Sequence, residues 1–199
     1  MRASFMASLI VASFFIGIIV GVAVWNVASP QGEVVTTQYT ILTTTITQST
    51  IITKEGSLSY EVCFPPGCED RLIYWIGRAN HSIHIMIYSF TLDSVGDALI
   101  IAHNRGVDVK VVFESQEINK YSEYYKLKAA GVEVRLDSNP ALMHNKVAII
   151  DDSIVITGSY NWSESAETKN NENMLIIRDR GTALIYEKEF EKIWEASLP

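Results

Sequence analysis

The sequence predicts an α/β domain, a mixed β-sheet sandwiched between helices, preceded by an N-terminal transmembrane helix. Three observations carry this. Along most of the chain, short apolar runs alternate with segments of helical period, as in a sheet covered by helices on both faces. Residues 144–161 read HNKVAIIDDSIVITGSYN, two apolar strands around a polar turn, and this hairpin makes the sheet mixed rather than purely parallel. Residues 5–25 form a run of 21 positions without a charge.

At 1.5 Å per residue, that run reaches about 30 Å, the thickness of a bilayer's hydrocarbon core. Arg2 precedes it and the next charge is Glu33, so the positive-inside rule puts the bulk of the chain outside the cytoplasm. A cleaved signal peptide is the rival, with a small-residue site at Val27-Ala28-Ser29, but the run exceeds the usual signal core of about 7–15 residues. Gly17 and Gly21 make a small-xxx-small pair on which two anchors could pack. Residues 1–29 are read as membrane anchor or signal sequence. Threonine fills about half of positions 36–53, with no charge and no proline. Such a tract has strand propensity but too few large side chains for a core, so 30–53 reads as an extended stalk, with an added edge strand as the alternative.

Residues 54–199 are long enough for one core. A strand is expected over 57–62 and a helix over 69–79, with Leu72, Ile73 and Ile76 on one face. A strand over 82–90, a helix over 95–104, a strand over 107–113, a helix over 120–130 and a strand over 132–136 follow. Gly106 and Gly131 mark the helix-to-strand passages as C-caps do. The hairpin, a strand over 173–177 and a helix near 183–196 complete the domain. Cys63 and Cys68 bracket Phe-Pro-Pro-Gly. Outside the cytoplasm they suit a small disulfide-closed loop, with free buried thiols as the alternative. Zinc is poorly served, since four ligands are wanted and only His81 and His84 are near.

The chemistry concentrates in the hairpin. His144 and Lys146 are two apart and project from one face of a strand. Asp151, Asp152 and Ser153 form the turn, and the returning strand brings Ser159 and Asn161 back beside His144. An imidazole, an ammonium, a hydroxyl and a carboxamide at one end of paired strands form a pocket for a tetrahedral oxyanion, phosphate above all. Imidazole suits a nucleophile or proton donor near neutral pH. Lys146 is a point charge for phosphate, and Ser159 and Asn161 add directed donors. Glu172, just before the strand at 173–177, suits a carboxylate that fixes the imidazole tautomer. His84 reads as a satisfied histidine within an apolar strand. Asn80-His81-Ser82 and Asn161-Trp162-Ser163 match the glycosylation sequon; a glycan on the second would block the pocket.

His-x-Lys, four residues, Asp, six residues and Gly-Ser-x-Asn resembles the HKD signature of the phospholipase D superfamily, complete here in His144, Lys146, Asp151, Gly158, Ser159 and Asn161. Ile87-Tyr88-Ser89-Phe90-Thr91, and the stretch from Asn161 to Asn173, look like the small bacterial Nuc-type endonucleases of that superfamily, over about 58–194. The resemblance implies a phospholipase D-like catalytic domain over 54–199 in which His144 attacks phosphorus to give a phosphohistidine. Lys146, Ser159 and Asn161 would hold the phosphate and Glu172 would orient the ring, with neither metal nor other cofactor. Asp151 belongs to that catalytic signature more as a structural partner than as a group on substrate. The family's second catalytic histidine comes from a second motif. This chain has one, since His81, His84 and His103 lack a lysine two residues on. The resemblance therefore implies a C2 homodimer sharing a composite site.

The formal net charge is −7, from 16 Lys and Arg against 23 Asp and Glu, and Arg2 and Glu33 are the only charges before residue 54. A non-specific nuclease draws most of its affinity from phosphate neutralisation, and the chain has no basic run, which counts against a nuclease. Lys146, Lys169 and Arg178 still allow a local basic groove, and Tyr121, Tyr124 and Tyr125 are available to stack bases or to pack a helix face on the sheet. An endonuclease acting on DNA or RNA is the leading reading, and a phospholipase D cleaving phosphatidyl diesters the alternative. A non-catalytic tethered module is a third.

Overall fold

A computed structural model describes residues 59–199 in full and, before them, only the backbone of residues 9–14 and 18–23. The chain divides into two units, residues 1–52 and 53–199. In the first, β1 (Leu9–Phe14) and β2 (Ile18–Ala23) pair antiparallel, with Leu9 opposite Ala23 and Phe14 opposite Ile18. Where it is described, the expected transmembrane helix over 5–25 is a pair of strands. Its β-branched residues, Ile10, Val11, Ile18, Ile19, Val20 and Val22, favour an extended backbone. Among the described residues, no helix is long and apolar enough to cross a membrane. The remainder of the anchor segment and the threonine stalk lie outside the described residues.

The second unit holds a seven-stranded sheet. Its strands in chain order are β3 (Ser59–Cys63), β4 (Ser82–Ile87), β5 (Asp108–Phe113), β6 (Glu133–Leu136), β7 (Lys146–Ile150), β8 (Ile154–Gly158) and β9 (Met174–Arg178). Across the sheet they lie in the order β3-β9-β8-β7-β4-β5-β6. The pairs β4–β5 and β5–β6 are parallel, and the pairs β4–β7, β7–β8, β8–β9 and β3–β9 are antiparallel. Helices α1 (Cys68–Gly77), α2 (Asp93–Asn104) and α3 (Tyr124–Ala129) supply the crossovers. Their apolar residues Leu72, Ile76, Val95, Leu99 and Leu127 pack with Ile83, Ile85, Val111, Ala148, Ile150 and Ile176 into the larger core. The opposite face of the sheet, Met86, Val112, Val147, Ile149 and Val155, is closed by Ala183 and Phe190 of α5 (Arg180–Ala196). A mixed sheet between helical layers is what the alternating pattern predicts, and β7, central and covered on both sides, is buried at all five positions.

Local chemistry moves some boundaries. The helix expected over 120–130 begins at Tyr124, because Asn119 Oδ1 accepts the Tyr121 N–H at 2.9 Å and Ser122 Oγ accepts that of Tyr124 at 3.3 Å, holding a turn before it. The short helix α4 (Glu164–Thr168) is absent from the sequence reading. Ser163 starts it by accepting the N–H of Ala166, as N-cap serines do. Buried Glu167 on α4 accepts the backbone N–H groups of Gly67 and Glu69 at the start of α1 and the Tyr160 hydroxyl at 2.6 Å. Burial first, then this carboxylate, pushes the Tyr160 phenol well above its ordinary range. Cys63, ending β3, is joined to Cys68, the first residue of α1, by a disulfide with a Cα–Cα distance of 5.6 Å.

Candidate active site

The ends of five segments meet at one edge of the sheet: the residues after β4, β5 and β8 and those before β7 and β9. This is the carboxyl end of the parallel pair β4–β5, where open α/β sheets place their ligands. His144 and Asn145 lead into β7, and Tyr88 follows β4, donating its N–H to the carbonyl of Asn145 at 2.8 Å. Lys146 is buried, 7% exposed, with Nζ 3.0 Å from the carbonyl of His144 and 4.5 Å from the centre of the Tyr88 ring. Burial works against its charge and lowers its pKa, and Glu172 and Glu117 oppose that only in part. An ammonium held this way has lost water without gaining a carboxylate contact, and a phosphate would supply the missing anion.

On the returning strand, Gly158 (φ 153°) lets β8 approach β9: a Cβ there would lie 2.2 Å from the carbonyl oxygen of Asn173. The N–H groups of Ser159 and Tyr160 both bond that same carbonyl, at 3.1 and 3.2 Å. Ser159 Oγ donates to Glu172 Oε2 at 2.5 Å and accepts the Asn173 N–H at 3.1 Å. Asn161 is followed by buried Trp162, whose carbonyl takes the N–H groups of Thr91 and Leu92 and whose own N–H bonds the carbonyl of Ser89. This lattice of backbone bonds fixes Asn161 beside the end of β4. Its Oδ1 is buried without a hydrogen-bond partner; that oxygen only accepts, so a phosphate would meet this carboxamide through its Nδ2 donors.

His144, Lys146, Ser159, Asn161 and Glu172 therefore lie at one end of the hairpin, and two details depart from the sequence reading. Glu172 accepts from Ser159 Oγ and, at 3.0 Å, from Asn170 Nδ2; among the described residues it makes no hydrogen bond to the His144 ring. That ring instead packs at 63° against Tyr88, centroids 4.3 Å apart. Asp151 lies at the opposite end of β7, where it accepts the N–H groups of Asn80 (3.0 Å), His81 (2.7 Å) and Ser82 (3.0 Å). Burial raises its pKa, but those three donors outweigh burial and hold the carboxyl below its ordinary range. It clamps the hairpin turn to the start of β4 and cannot touch a phosphate on His144.

A basic groove that joins Arg178 to Lys146 does not form. Arg178 ends β9 at the far side of the sheet, opposite Ser59 and Ile154, and its guanidinium bonds Ser59 Oγ and pairs with Glu61. Of the three tyrosines, Tyr124 is buried in the core, while Tyr121 and Tyr125 are exposed. Sequence reasoning passed over two groups at the site. Tyr88 lies in the stretch Ile87–Thr91 that carried part of the resemblance, so its signal was present. Glu117, in the short 3-10 turn Ser115–Glu117, stands near enough to influence both Tyr88 and Lys146, and no spacing pointed to it. Beside His144 opens a cleft of about 330 Å³ walled by Asp137, Leu142, Met143 and Asn145 and, from α5, Glu189 and Ile193.

Residues 72–194 match the family described as cardiolipin synthase, PLD-like domain. The chain belongs to the phospholipase D superfamily. It is 36% identical over 130 residues to mitochondrial cardiolipin hydrolase of Xenopus tropicalis, covering 65% of this chain and 62% of that relative. It is 39% identical over 127 residues to phospholipase D of Rickettsia prowazekii, covering 62% of each. The matched part thus spans about three fifths of these curated relatives. Among solved structures, the phospholipase D family member Nuc from Salmonella typhimurium superposes with a TM-score of 0.67 at 32% identity, over 70% of this chain and 96% of that one. NucT from Helicobacter pylori gives 0.65 at 29%, over 71% and 98%. The mixed sheet flanked by helices is therefore the phospholipase D fold.

Proposed function

We propose that this protein is a metal-independent phosphodiesterase that cleaves nucleic-acid phosphodiester bonds through a phosphohistidine. The single observation that carries the reading is the buried Lys146 ammonium beside His144, without a carboxylate in contact among the described residues, a cation that a phosphate would complete. His144 attacks phosphorus in line with the leaving oxygen, while Lys146 and Asn161 take the non-bridging oxygens, whose charge grows in the transition state. Protonation of the leaving alcohol needs a second acid. The one motif supplies one histidine, so a second copy of the chain brings its own His144 to the same phosphorus, in a C2 dimer with the site on the axis. General acid catalysis of this kind contributes roughly 10²- to 10⁴-fold, and a monomer is expected to be that much slower. Similarity along nearly the full length of Nuc and NucT supports the nuclease.

A second reading, a phospholipase D acting on phosphatidyl diesters such as cardiolipin, is favoured by the names of the curated relatives and by the net charge of −7. The deciding experiment sets single-stranded and duplex DNA against cardiolipin and phosphatidylcholine vesicles in EDTA, with the full chain and with His144→Ala. Cleavage of DNA alone that vanishes in the variant supports the nuclease. Release of phosphatidate instead transfers the assignment to the lipase, and turnover surviving in His144→Ala rejects both. We also propose that residues 5–25 anchor the chain as a helix with the domain outside the cytoplasm. A two-stranded ribbon leaves edge N–H and C=O groups that a bilayer core cannot satisfy, whereas a helix satisfies them internally. Loss of the chain from the membrane fraction at alkaline carbonate would defeat the anchor.

A further inference from the structure

Two catalytic side chains of the proposed mechanism share one neighbour. The Tyr88 ring lies against the His144 imidazole, centroids 4.3 Å apart at 63°, and the Lys146 ammonium sits 4.5 Å from the centre of the same ring. Tyr88 itself is fixed from two sides. It directly follows β4, whose last residue Ile87 pairs with Lys146, and its N–H bonds the carbonyl of Asn145, between the two catalytic residues. The carboxylate that the resemblance assigns to the ring, Glu172, has one oxygen taken by Ser159 and the other by Asn170. Among the described residues the imidazole of His144 makes no hydrogen bond, so ring packing is what holds it.

We infer that Tyr88 is a positioning residue of this site: its ring sets the angle of the His144 imidazole and keeps the Lys146 ammonium beside it. This rests on the reading of His144 as nucleophile and deepens it. A nucleophilic nitrogen must be held within roughly 10–20° of its line of attack, and an imidazole without hydrogen bonds is free to turn about its bond to Cβ unless a flat surface stops it. The tyrosine ring provides that surface. Its π face also attracts the ammonium, where burial disfavours the charge and the nearby carboxylates offset burial only in part. One aromatic ring therefore sets the distance between nucleophile and phosphate-binding cation. The phenol is directed toward Glu117, whose hydrogen bonding and charge raise its pKa, so the hydroxyl stays protonated and the ring carries no negative charge of its own.

The ring rather than the hydroxyl is the agent, and the test separates them. The full chain with Tyr88→Leu is assayed on bis(p-nitrophenyl) phosphate beside Tyr88→Phe and His144→Ala. Loss of the ring is expected to lower kcat about 10²-fold, the effect of misplacing a reacting group by about 1 Å, with KM changed less than about threefold. Tyr88→Phe is expected to recover at least about tenfold of that loss. A Tyr88→Leu enzyme with undiminished kcat overturns the inference, as does a Tyr88→Phe enzyme as slow as Tyr88→Leu, which would put the function on the hydroxyl. Should the leucine variant unfold, Tyr88→Met keeps side-chain length and apolarity without a flat face, and the same two outcomes decide. Turnover that survives in His144→Ala sinks the proposed mechanism itself, whereas a dead His144→Ala beside a fast Tyr88→Leu sinks only the role of Tyr88.

Discussion

At the turn of the β7–β8 hairpin, Asp151 accepts three backbone N–H groups from the start of β4. At the open end, about 17 Å away along a five-residue strand, Lys146 is buried against the His144 carbonyl and the Tyr88 ring, with no carboxylate in contact among the described residues. The two ends belong to one sequence signature and obey opposite rules. Where a half-buried charge is surrounded by fixed donors, it holds the fold together. Where a buried cation lacks a counter-ion, the unmade contact is held for an anionic ligand, and stability is given up for reactivity. The turn residues Asp151 and Asp152 even accept a left-handed backbone, φ 51° at each, to close the loop tightly. Aspartate tolerates that region better than most residues.

If that contrast is right, substitutions at the two ends separate activity from stability. The largest effect belongs to His144→Ala, expected to lower turnover of a phosphodiester by at least about 10³-fold, as removal of a nucleophile does, while the melting temperature stays within a few degrees. Lys146→Met follows, with a loss of about 10²- to 10³-fold in kcat, the usual consequence of deleting one stabiliser of transition-state charge. Its stability should not fall, because replacing a poorly compensated buried charge by an apolar chain of similar length is often neutral or favourable. A Lys146→Met protein that unfolds several degrees early would mean that Lys146 is structural and erase the contrast.

Asp151→Ala tests the opposite end. It strands three backbone donors, so a loss of about 1–3 kcal/mol is expected, read as a lower midpoint in urea with unchanged slope, and the folded fraction should turn over substrate normally. The pH dependence follows from the depressed pKa of Asp151. Its contribution is fully present above the unfolded carboxyl value of about 3.9 and disappears as pH falls through the lower folded value. Stability curves of the parent and variant should therefore converge in acid and separate by pH 5. Curves that stay parallel to pH 2 would deny the clamp.

The hairpin was legible because its signal is local: alternation, a polar turn and a return strand within 18 residues define β7 from Lys146 to Ile150 and β8 from Ile154 without reference to the rest of the chain. The gathering of His144, Lys146, Ser159 and Asn161 at one end follows from that register. Partners far apart in sequence were not legible. Glu167 meets Gly67 across about 100 positions. His84 was read as satisfied, but nothing local could name its partners, Glu187 on α5 and Asp108 on β5. Arg178 is missing from the site for a related reason. Lys146 and Arg178 look close in a list of charges, yet β7 and β9 both run away from the site toward its far side, and Arg178 ends the latter. In a strand, five residues of separation move a side chain from active site to opposite rim.

Lys146 yields the smallest and most discriminating effect, because its pKa moves activity and stability in opposite directions. Burial lowers that pKa, with Glu172 and Glu117 opposing it only in part, so the ammonium is lost at a pH below the unfolded value of about 10.4. Turnover that depends on this charge should decline on the alkaline side earlier than free lysine would dictate. Across the same interval the unfolded chain still binds the proton and the native protein does not, so stability should rise with pH relative to a chain lacking the group. Urea titrations of the parent and Lys146→Met between about pH 8 and 10.4 should show the parent gaining on the variant while its own turnover falls. A parent that loses stability there, in step with activity, would place a second counter-charge on Lys146 and make the open end of the hairpin as fully paired as its turn.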